Sequence, residues 1–177
     1  RMDFYLSRMR DIFTYNAETG DLTWKARPRS HFLTDFAHKS WNGKNAGRLA
    51  GTDKSGRHVR VGVNGDSVLA HRIIWEMHNG PIPDGYEIDH RDLCPNNNRL
   101  SNLRLATPSQ NRCNTRKRSH NTTGLKGVFW DKSRAKWVAY IGVNGTQINL
   151  GRYITKGLAA VARAKASLKY HGQFARL

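Results

Sequence analysis

The segment YEIDHRD (86–92), followed by NNNRLSNLRLATPSQN (96–111), decides the fold of the middle of this chain. Residues 85–88 alternate in the manner of a strand that ends at Asp89 and His90. Leu103 to Ala106 predicts a second short strand. Thr107 then predicts a helix start, because Pro108 takes the first helical position and Gln110 completes a capping box. We therefore predict strand, loop, strand and helix, with Asn111 just inside the helix and able to face Asp89.

Three side-chain types in this segment suit the hydrolysis of a phosphodiester. An imidazole can take a proton from water, because its reference pKa lies near neutral pH. The carboxylate of Asp89 and the amide of Asn111 are hard oxygen ligands of the kind that Mg²⁺ prefers. The alternative is a surface loop rich in Asn and Asp, since both residues favour turns.

Together with AHRIIW (70–75), these motifs resemble the HNH endonucleases, specifically the phage and intron-encoded branch whose third motif residue is Asn. The resemblance implies a ββα-metal (His-Me finger) core in which Asp89 and Asn111 bind one divalent ion and His90 is the general base. It also implies that Asn102, the middle motif residue, braces the loop and orients His90. Mg²⁺ is the expected ion and Mn²⁺ the alternative, because an amide is a weaker ligand than imidazole for borderline metals.

The charge of the chain indicates a polyanionic partner. Among 177 residues, 30 are Lys or Arg and 13 are Asp or Glu, which gives a formal net charge of +17. Such a field attracts nucleic acid. No long apolar run, signal peptide or basic amphipathic helix favours a membrane. We expect a location in the cytoplasm of a host cell. The HNH resemblance implies that the partner is double-stranded DNA, bound by a monomer or dimer, and that a phage or an intron encodes the protein.

The N-terminal part is predicted to be β-rich around a basic loop. A short helix is expected over Phe4 to Tyr15, and residues 27–47 are expected to form a long loop, ordered only on DNA. Asn64-Gly65 predicts a hairpin turn. A helix should follow from His71 to His78, in which His71 either caps and packs or supports the metal loop. Cys94 and Cys113 form no CxxC pair, so we expect free buried thiols rather than a zinc ribbon.

The C-terminal part predicts three short strands and an Ala-rich helix from about Leu158 to Tyr170. It resembles the Apetala/ethylene-response-factor DNA-binding domain at Gly127-Val128, Trp130, Lys136-Trp137, Ala139, Ile141, Gly145, Leu150-Gly151, Tyr153, Thr155 and Ala159-Ala160. The resemblance implies a three-stranded antiparallel sheet packed on one helix, with its exposed face in the major groove. Phe129 and Asn149 depart from the Arg and Trp usual in that family, so no target sequence is implied. The alternative is a small packing domain with a basic surface.

Candidate DNA-contacting residues fall in two groups. Those in and after the nuclease motifs are basic: Arg72, Arg99, Arg104, Arg112, Arg116, Lys117 and Arg118. Those implied by the second resemblance are Lys126, Phe129, Lys132, Arg134, Lys136, Tyr140, Gln147, Asn149 and Arg152. A charge run such as 112–120 is also typical of a solvated surface.

The sequence thus predicts an α+β DNA endonuclease of the HNH homing type with three parts. These are a β-rich region with a basic loop (1–70), an HNH nuclease module (71–118), and a basic linker with the Apetala-like domain (119–177). The expected reaction is metal-dependent hydrolysis that leaves 5′-phosphate and 3′-hydroxyl ends. The alternatives are a DNA-binding regulator with a non-catalytic HNH core and an RNA-processing nuclease, the latter disfavoured because A-form RNA has a narrow major groove.

Overall fold

The computed structural model describes residues 9–51, 57–114 and 121–175 of this mixed α/β chain. It divides into two compact units, Arg1–Leu105 and Ala106–Leu177. Their boundary lies inside the segment 71–118 that was predicted as one nuclease module. Within the described residues, no helix is both long and apolar enough to span a membrane.

The first unit opens with a helical turn and a hairpin. Residues 9–12 are helical, and strand β1 (Phe13–Tyr15) pairs antiparallel with β2 (Leu22–Trp24). The predicted helix over Phe4 to Tyr15 is therefore wrong from Phe13 onward, and its residues before Met9 lie outside the described ranges. The Phe13 ring is buried and lies 4.6 Å from the Trp24 ring. This cross-strand aromatic contact outweighs the helical spacing of the sequence.

Residues 27–47 contain a helix, which corrects the prediction of a long loop. Helix α1 (Asp35–Asn45) begins at Thr34, whose hydroxyl accepts a hydrogen bond from the Ala37 N–H at 3.1 Å. It buries no residue completely. The Trp41 ring meets the Trp24 ring edge to face at 5.1 Å, so aromatic contact rather than an apolar stripe attaches the helix.

A second hairpin and a helix form most of the core. Strands β3 (Arg60–Val63) and β4 (Asp66–Leu69) pair around Asn64-Gly65, whose φ angles of 52° and 92° confirm the predicted tight turn. Helix α2 (Ala70–Asn79) buries Ile73 and Ile74 fully and ends at Gly80, as predicted. These residues pack with Met9, Phe13, Leu22, Val61, Ile88 and Leu103.

The functional motif forms a small sheet of its own. Strands β5 (Glu87–His90) and β6 (Leu103–Ala106) pair with each other, and a short 3₁₀ turn (Leu100–Asn102) leads into β6. Helix α3 (Pro108–Cys113) follows, with the predicted capping box formed by Thr107 and Gln110. The order strand, loop, strand and helix is as predicted from the sequence.

The second unit contains a three-stranded antiparallel sheet and a long helix. Strands β7 (Val128–Asp131), β8 (Lys136–Val143) and β9 (Thr146–Tyr153) pair in that order. Helix α4 (Lys156–His171) is capped by the Thr155 hydroxyl and ends at Gly172. Val128, Ala139 and Ala159 form the buried core, where small side chains bring the helix close to the sheet.

Candidate active site

His90 ends strand β5 and is almost fully buried. Its ring is 5% exposed, and its Nε2 lies 2.9 Å from the side-chain oxygen of Asn98, which is 3% exposed. An amide oxygen can only accept a hydrogen bond, so Nε2 is the nitrogen that donates. In the neutral ring the lone pair therefore lies on Nδ1, which is the atom able to take a proton or bind a metal ion.

The loop that presents Asn98 is held by Asn102. The Asn102 amide donates to Asp92 Oδ1 at 2.9 Å and to the Asn97 carbonyl at 2.8 Å, while its oxygen accepts from the Asp92 N–H at 3.1 Å. Partial burial alone would raise the pKa of Asp92, but hydrogen bonds from Cys94, Asn97 and Asn102 lower it below its usual value. This network keeps a charged carboxylate at the centre of the loop.

The expected role of Asn102 therefore divides between two residues. Asn102 makes the hydrogen bonds that brace the loop, whereas the side-chain oxygen of Asn98 contacts the His90 ring. The motif pattern does not distinguish them, because the run Asn96-Asn97-Asn98 offers three amides close to Asn102. Only the path of the loop decides which amide faces the imidazole.

Asp89 lies beside His90 in β5 and forms a buried ion pair. Its side chain is 4% exposed, and its Oδ2 accepts from Arg104 Nε at 2.8 Å and Nη2 at 2.7 Å. The Arg104 side chain is 7% exposed. Arg104 was expected to contact DNA, but a guanidinium buried against a carboxylate is not presented to a phosphate at the surface. We correct that assignment: Arg104 holds Asp89.

Three histidines, His58, His71 and His90, lie together here, and the sequence motifs contain His71 and His90 but not His58. The ring centroids of His58, His71 and His90 lie 4.9 Å, 5.0 Å and 5.4 Å apart. Burial, together with the neighbouring His90 and His58, lowers the pKa of His71 to about 3. Partial desolvation by the surrounding residues, together with His90, also lowers the pKa of His58, although this residue is exposed. Both rings are therefore neutral at neutral pH.

His71 was singled out from the sequence as a packing or loop-supporting residue, and it is 5% exposed on α2. Its Nδ1 is buried and has no hydrogen-bond partner among the described residues. His58 was not predicted, because it lies 32 positions before His90 with no local motif around it. Long-range folding alone brings it to the site.

Asn111, the other expected metal ligand, lies inside α3 of the second unit and is partly exposed. Its role as a ligand stays a prediction. The donor chemistry fits a hard divalent ion, since Asp89 supplies a buried carboxylate at the end of a packed strand. Cys94 and Cys113 are free thiols, as predicted, but Cys94 is exposed and Cys113 is partly exposed, so neither is fully buried.

The predicted DNA-contacting residues of the second unit lie largely on one surface. Val128 and Ala139 face α4, so the alternating Phe129, Lys136 and Tyr140 face the other way. We define the exposed sheet face as Phe129, Lys136, Tyr140, Gln147, Asn149 and Arg152. The Phe129 and Tyr140 rings are in contact at 6.0 Å.

The remaining predicted contacts are scattered. Lys132, Arg134 and Arg112 are exposed, whereas Lys126 is half-buried and donates to the Cys113 carbonyl at 3.0 Å. In the first unit Arg72 is half-buried, and the exposed Arg99 donates to the Glu18 carbonyl. Arg116, Lys117 and Arg118 lie outside the described residues.

Comparisons with known proteins match the segment that contains Asp89 and His90. The family model described as HNH endonuclease matches residues 68–113. The gene 5.3 protein of Enterobacteria phage T3 is 69% identical over 28 residues, which are 16% of this chain and 26% of that protein. A structure of DNA binding and cleavage by the HNH homing endonuclease I-HmuI is similar with a TM-score of 0.40 and 19% identity, over 90% of this chain and 85% of that chain.

A second phage protein, protein 3.8 of Escherichia phage T7, matches over a longer stretch. It is 45% identical over 107 residues, which are 60% of this chain and 87% of that protein. With the motif, its buried Asp89-His90 pair and the family match in agreement, the chain contains an HNH endonuclease domain and belongs to the family of protein 3.8 of Escherichia phage T7.

Proposed function

We propose that this protein is a metal-dependent DNA endonuclease that hydrolyses a phosphodiester and leaves 5′-phosphate and 3′-hydroxyl ends. The observation that carries the proposal is the buried Asp89-His90 pair, in which Asn98 fixes the imidazole at 2.9 Å. The family match over residues 68–113 supports the same chemistry. The net charge of +17 supports a nucleic acid as the substrate.

In this mechanism His90 is the general base. Nε2 donates to Asn98, so Nδ1 takes the proton from the attacking water. Because both side chains are buried, the ring keeps one orientation, and a fixed geometry lowers the entropy cost of reaching the transition state. Asn102 contributes indirectly by holding the loop on which Asn98 lies.

Asp89 and Asn111 are the residues that we propose to hold a divalent ion, with Mg²⁺ preferred and Mn²⁺ as the alternative. A bound ion of this kind would neutralise charge on the phosphate and on the departing oxygen. Arg104 keeps the Asp89 carboxylate in one position through two hydrogen bonds to a single oxygen, Oδ2. We therefore propose Arg104 as a positioning residue.

The exposed sheet face is our proposed DNA-contacting surface. Lys136 and Arg152 supply positive charge, while Gln147 and Asn149 supply side chains able to contact base edges. This arrangement supports the Apetala-like interpretation of residues 119–177, in which the sheet enters the major groove. The helix α4 covers the opposite face of the sheet.

Replacing His90 with Ala should abolish nicking of supercoiled plasmid in Mg²⁺ while DNA binding is retained. Loss of a general base costs about 100-fold or more in rate. His78→Ala, at the exposed end of α2, is the matched control and should keep full activity. Equal loss of binding and cleavage in His90→Ala would contradict the base assignment. If the native protein binds DNA but cuts none with Mg²⁺ or Mn²⁺, a DNA-binding regulator with a non-catalytic core is the correct function.

Replacing Asn98 with Asp should move the pH profile of cleavage. A carboxylate at position 98 stabilises the protonated imidazole, so the neutral base is populated only at higher pH and the rising limb shifts upward. Asn16→Asp adds the same charge in a turn whose side-chain oxygen already accepts backbone hydrogen bonds, and it should leave the profile in place. An unshifted profile for Asn98→Asp would show that Asn98 does not act on the base.

Replacing Arg104 with Met should lower the free energy of unfolding by about 3 to 5 kcal/mol, because it leaves the Asp89 carboxylate buried without its cation. Urea denaturation followed by tryptophan fluorescence measures the change. The control is Arg48→Met, which alters an exposed arginine of the same unit and should have little effect. Similar unfolding of the two variants would mean that the ion pair is unimportant to the fold.

Replacing Lys136 with Gln should weaken DNA binding and make it less dependent on salt. Each lost phosphate contact reduces the slope of log affinity against log salt by about 1. Lys165→Gln removes the same charge from an exposed position of α4, away from the exposed sheet face. Fluorescence anisotropy at several salt concentrations compares the two. An identical loss in both variants would indicate that only net charge matters, and not this face.

A further inference from the structure

We propose that His58, His71 and His90 form a binding site for a transition-metal ion of the Zn²⁺ type, different in its donors from the oxygen ligands expected for Mg²⁺. One ring nitrogen from each histidine lies within 4.8 Å of the others. Imidazole nitrogens suit Zn²⁺, Co²⁺, Ni²⁺ and Cu²⁺, whereas Mg²⁺ prefers oxygen. Three histidines leave the fourth position of a tetrahedral ion to water.

The distances between the three ring nitrogens are close to those between histidine nitrogens that share a zinc ion. Zinc–nitrogen bonds of about 2.1 Å in a tetrahedral site place the nitrogens about 3.4 Å apart. The three rings therefore need to close by less than about 1 Å each. His71 and His90 are buried on α2 and β5, while His58 is exposed just before β3 and is the ring with room to move.

A second observation points to a ligand at this place. His71 is 5% exposed, yet its Nδ1 has no hydrogen-bond partner among the described residues. Buried polar atoms nearly always have a partner, so an orphan of this kind requires an explanation. A bound cation satisfies the lone pair of such a nitrogen.

The site has a consequence for catalysis, and this part rests on the proposed function. Asn98 occupies Nε2 of His90, so the ligand atom of His90 is Nδ1, the nitrogen that we assign as the base. One lone pair cannot bind a metal ion and accept a proton at the same time. Occupation by Zn²⁺ should therefore inhibit cleavage that depends on Mg²⁺.

The binding test uses the full-length protein without a histidine tag. Calorimetry with Zn²⁺, and the visible absorption of bound Co²⁺, should show one equivalent bound to the native protein. His58→Gln and His71→Gln should each weaken binding by about tenfold or more, since even partners outside the ligand set cost that much. His171→Gln, in the second unit, is the control and should bind normally.

Unchanged Zn²⁺ affinity in both variants would overturn the site and leave the three rings with a packing role. His58 is exposed, so His58→Gln tests the proposal even if His71→Gln fails to fold.

A second experiment tests inhibition by measuring plasmid nicking in Mg²⁺ with added Zn²⁺. Measured relative to its own activity without Zn²⁺, His58→Gln should resist inhibition, and equal fractional inhibition of both proteins would refute the link to the base.

The two proposals can fail separately. A native protein that binds Zn²⁺ through these histidines but never cuts DNA supports the metal site and contradicts the nuclease. A protein that cuts DNA through His90 but binds Zn²⁺ equally well in every variant supports the nuclease and contradicts the site. The direct binding measurement distinguishes these cases, because it does not depend on activity.

Discussion

The hydrogen bond between His90 Nε2 and the Asn98 side chain is the contact on which the candidate site depends. It joins two buried polar groups, each of which would be costly to bury alone. It also selects the tautomer, and with it the nitrogen available for chemistry. The bond exists only because the loop from Arg91 to Asn102 brings Asn98 back to the strand end, and Asn102 and Asp92 hold that loop by three further hydrogen bonds.

The Asp89–Arg104 pair solves a related problem of burial. A carboxylate beside an imidazole in a closed strand end loses its hydration, and the cost is several kcal/mol unless a cation compensates. Arg104 arrives from β6, the partner strand, so the pairing of β5 with β6 and the charge balance of the site depend on each other. A surface lysine or arginine contacting DNA would not meet this requirement. The strand pairing thus decides the role of Arg104.

Local signals in the sequence predict local structure well here. The Asn64-Gly65 turn, the helix before Gly80 and the Thr107 capping box each depend on neighbouring residues, and all three occur. Helix α1 was missed because its attachment is an aromatic contact between Trp41 and Trp24, which the spacing of apolar residues does not show. Phe13 was assigned to a helix because the spacing of apolar residues does not show its contact with Trp24 either.

The candidate site shows the same contrast between local signals, which the sequence reveals, and long-range contacts, which it does not. Asp89 and His90 were found because they are adjacent in a motif, and the resemblance supplied their expected roles. Asn98, His58 and the true partner of Arg104 depend on contacts between distant segments or on the path of a loop, and pattern alone does not give them. Pattern alone also does not show that His71 Nδ1 has no hydrogen-bond partner in the part of the chain that the structure describes.

Placing the imidazoles of His58 and His71 beside the proposed base, His90, creates a conflict between two kinds of chemistry. Desolvation and neighbouring positive charge lower the pKa of His58 and His71, so both rings are neutral at neutral pH. The same neutrality makes the three rings a set of nitrogen ligands for a borderline metal ion. In our two proposals Asp89 and Asn111 offer oxygen donors to Mg²⁺, whereas the three histidines offer nitrogen donors to Zn²⁺. Under these proposals, selectivity between activation by Mg²⁺ and inhibition by Zn²⁺ follows from ligand type, without any change of fold.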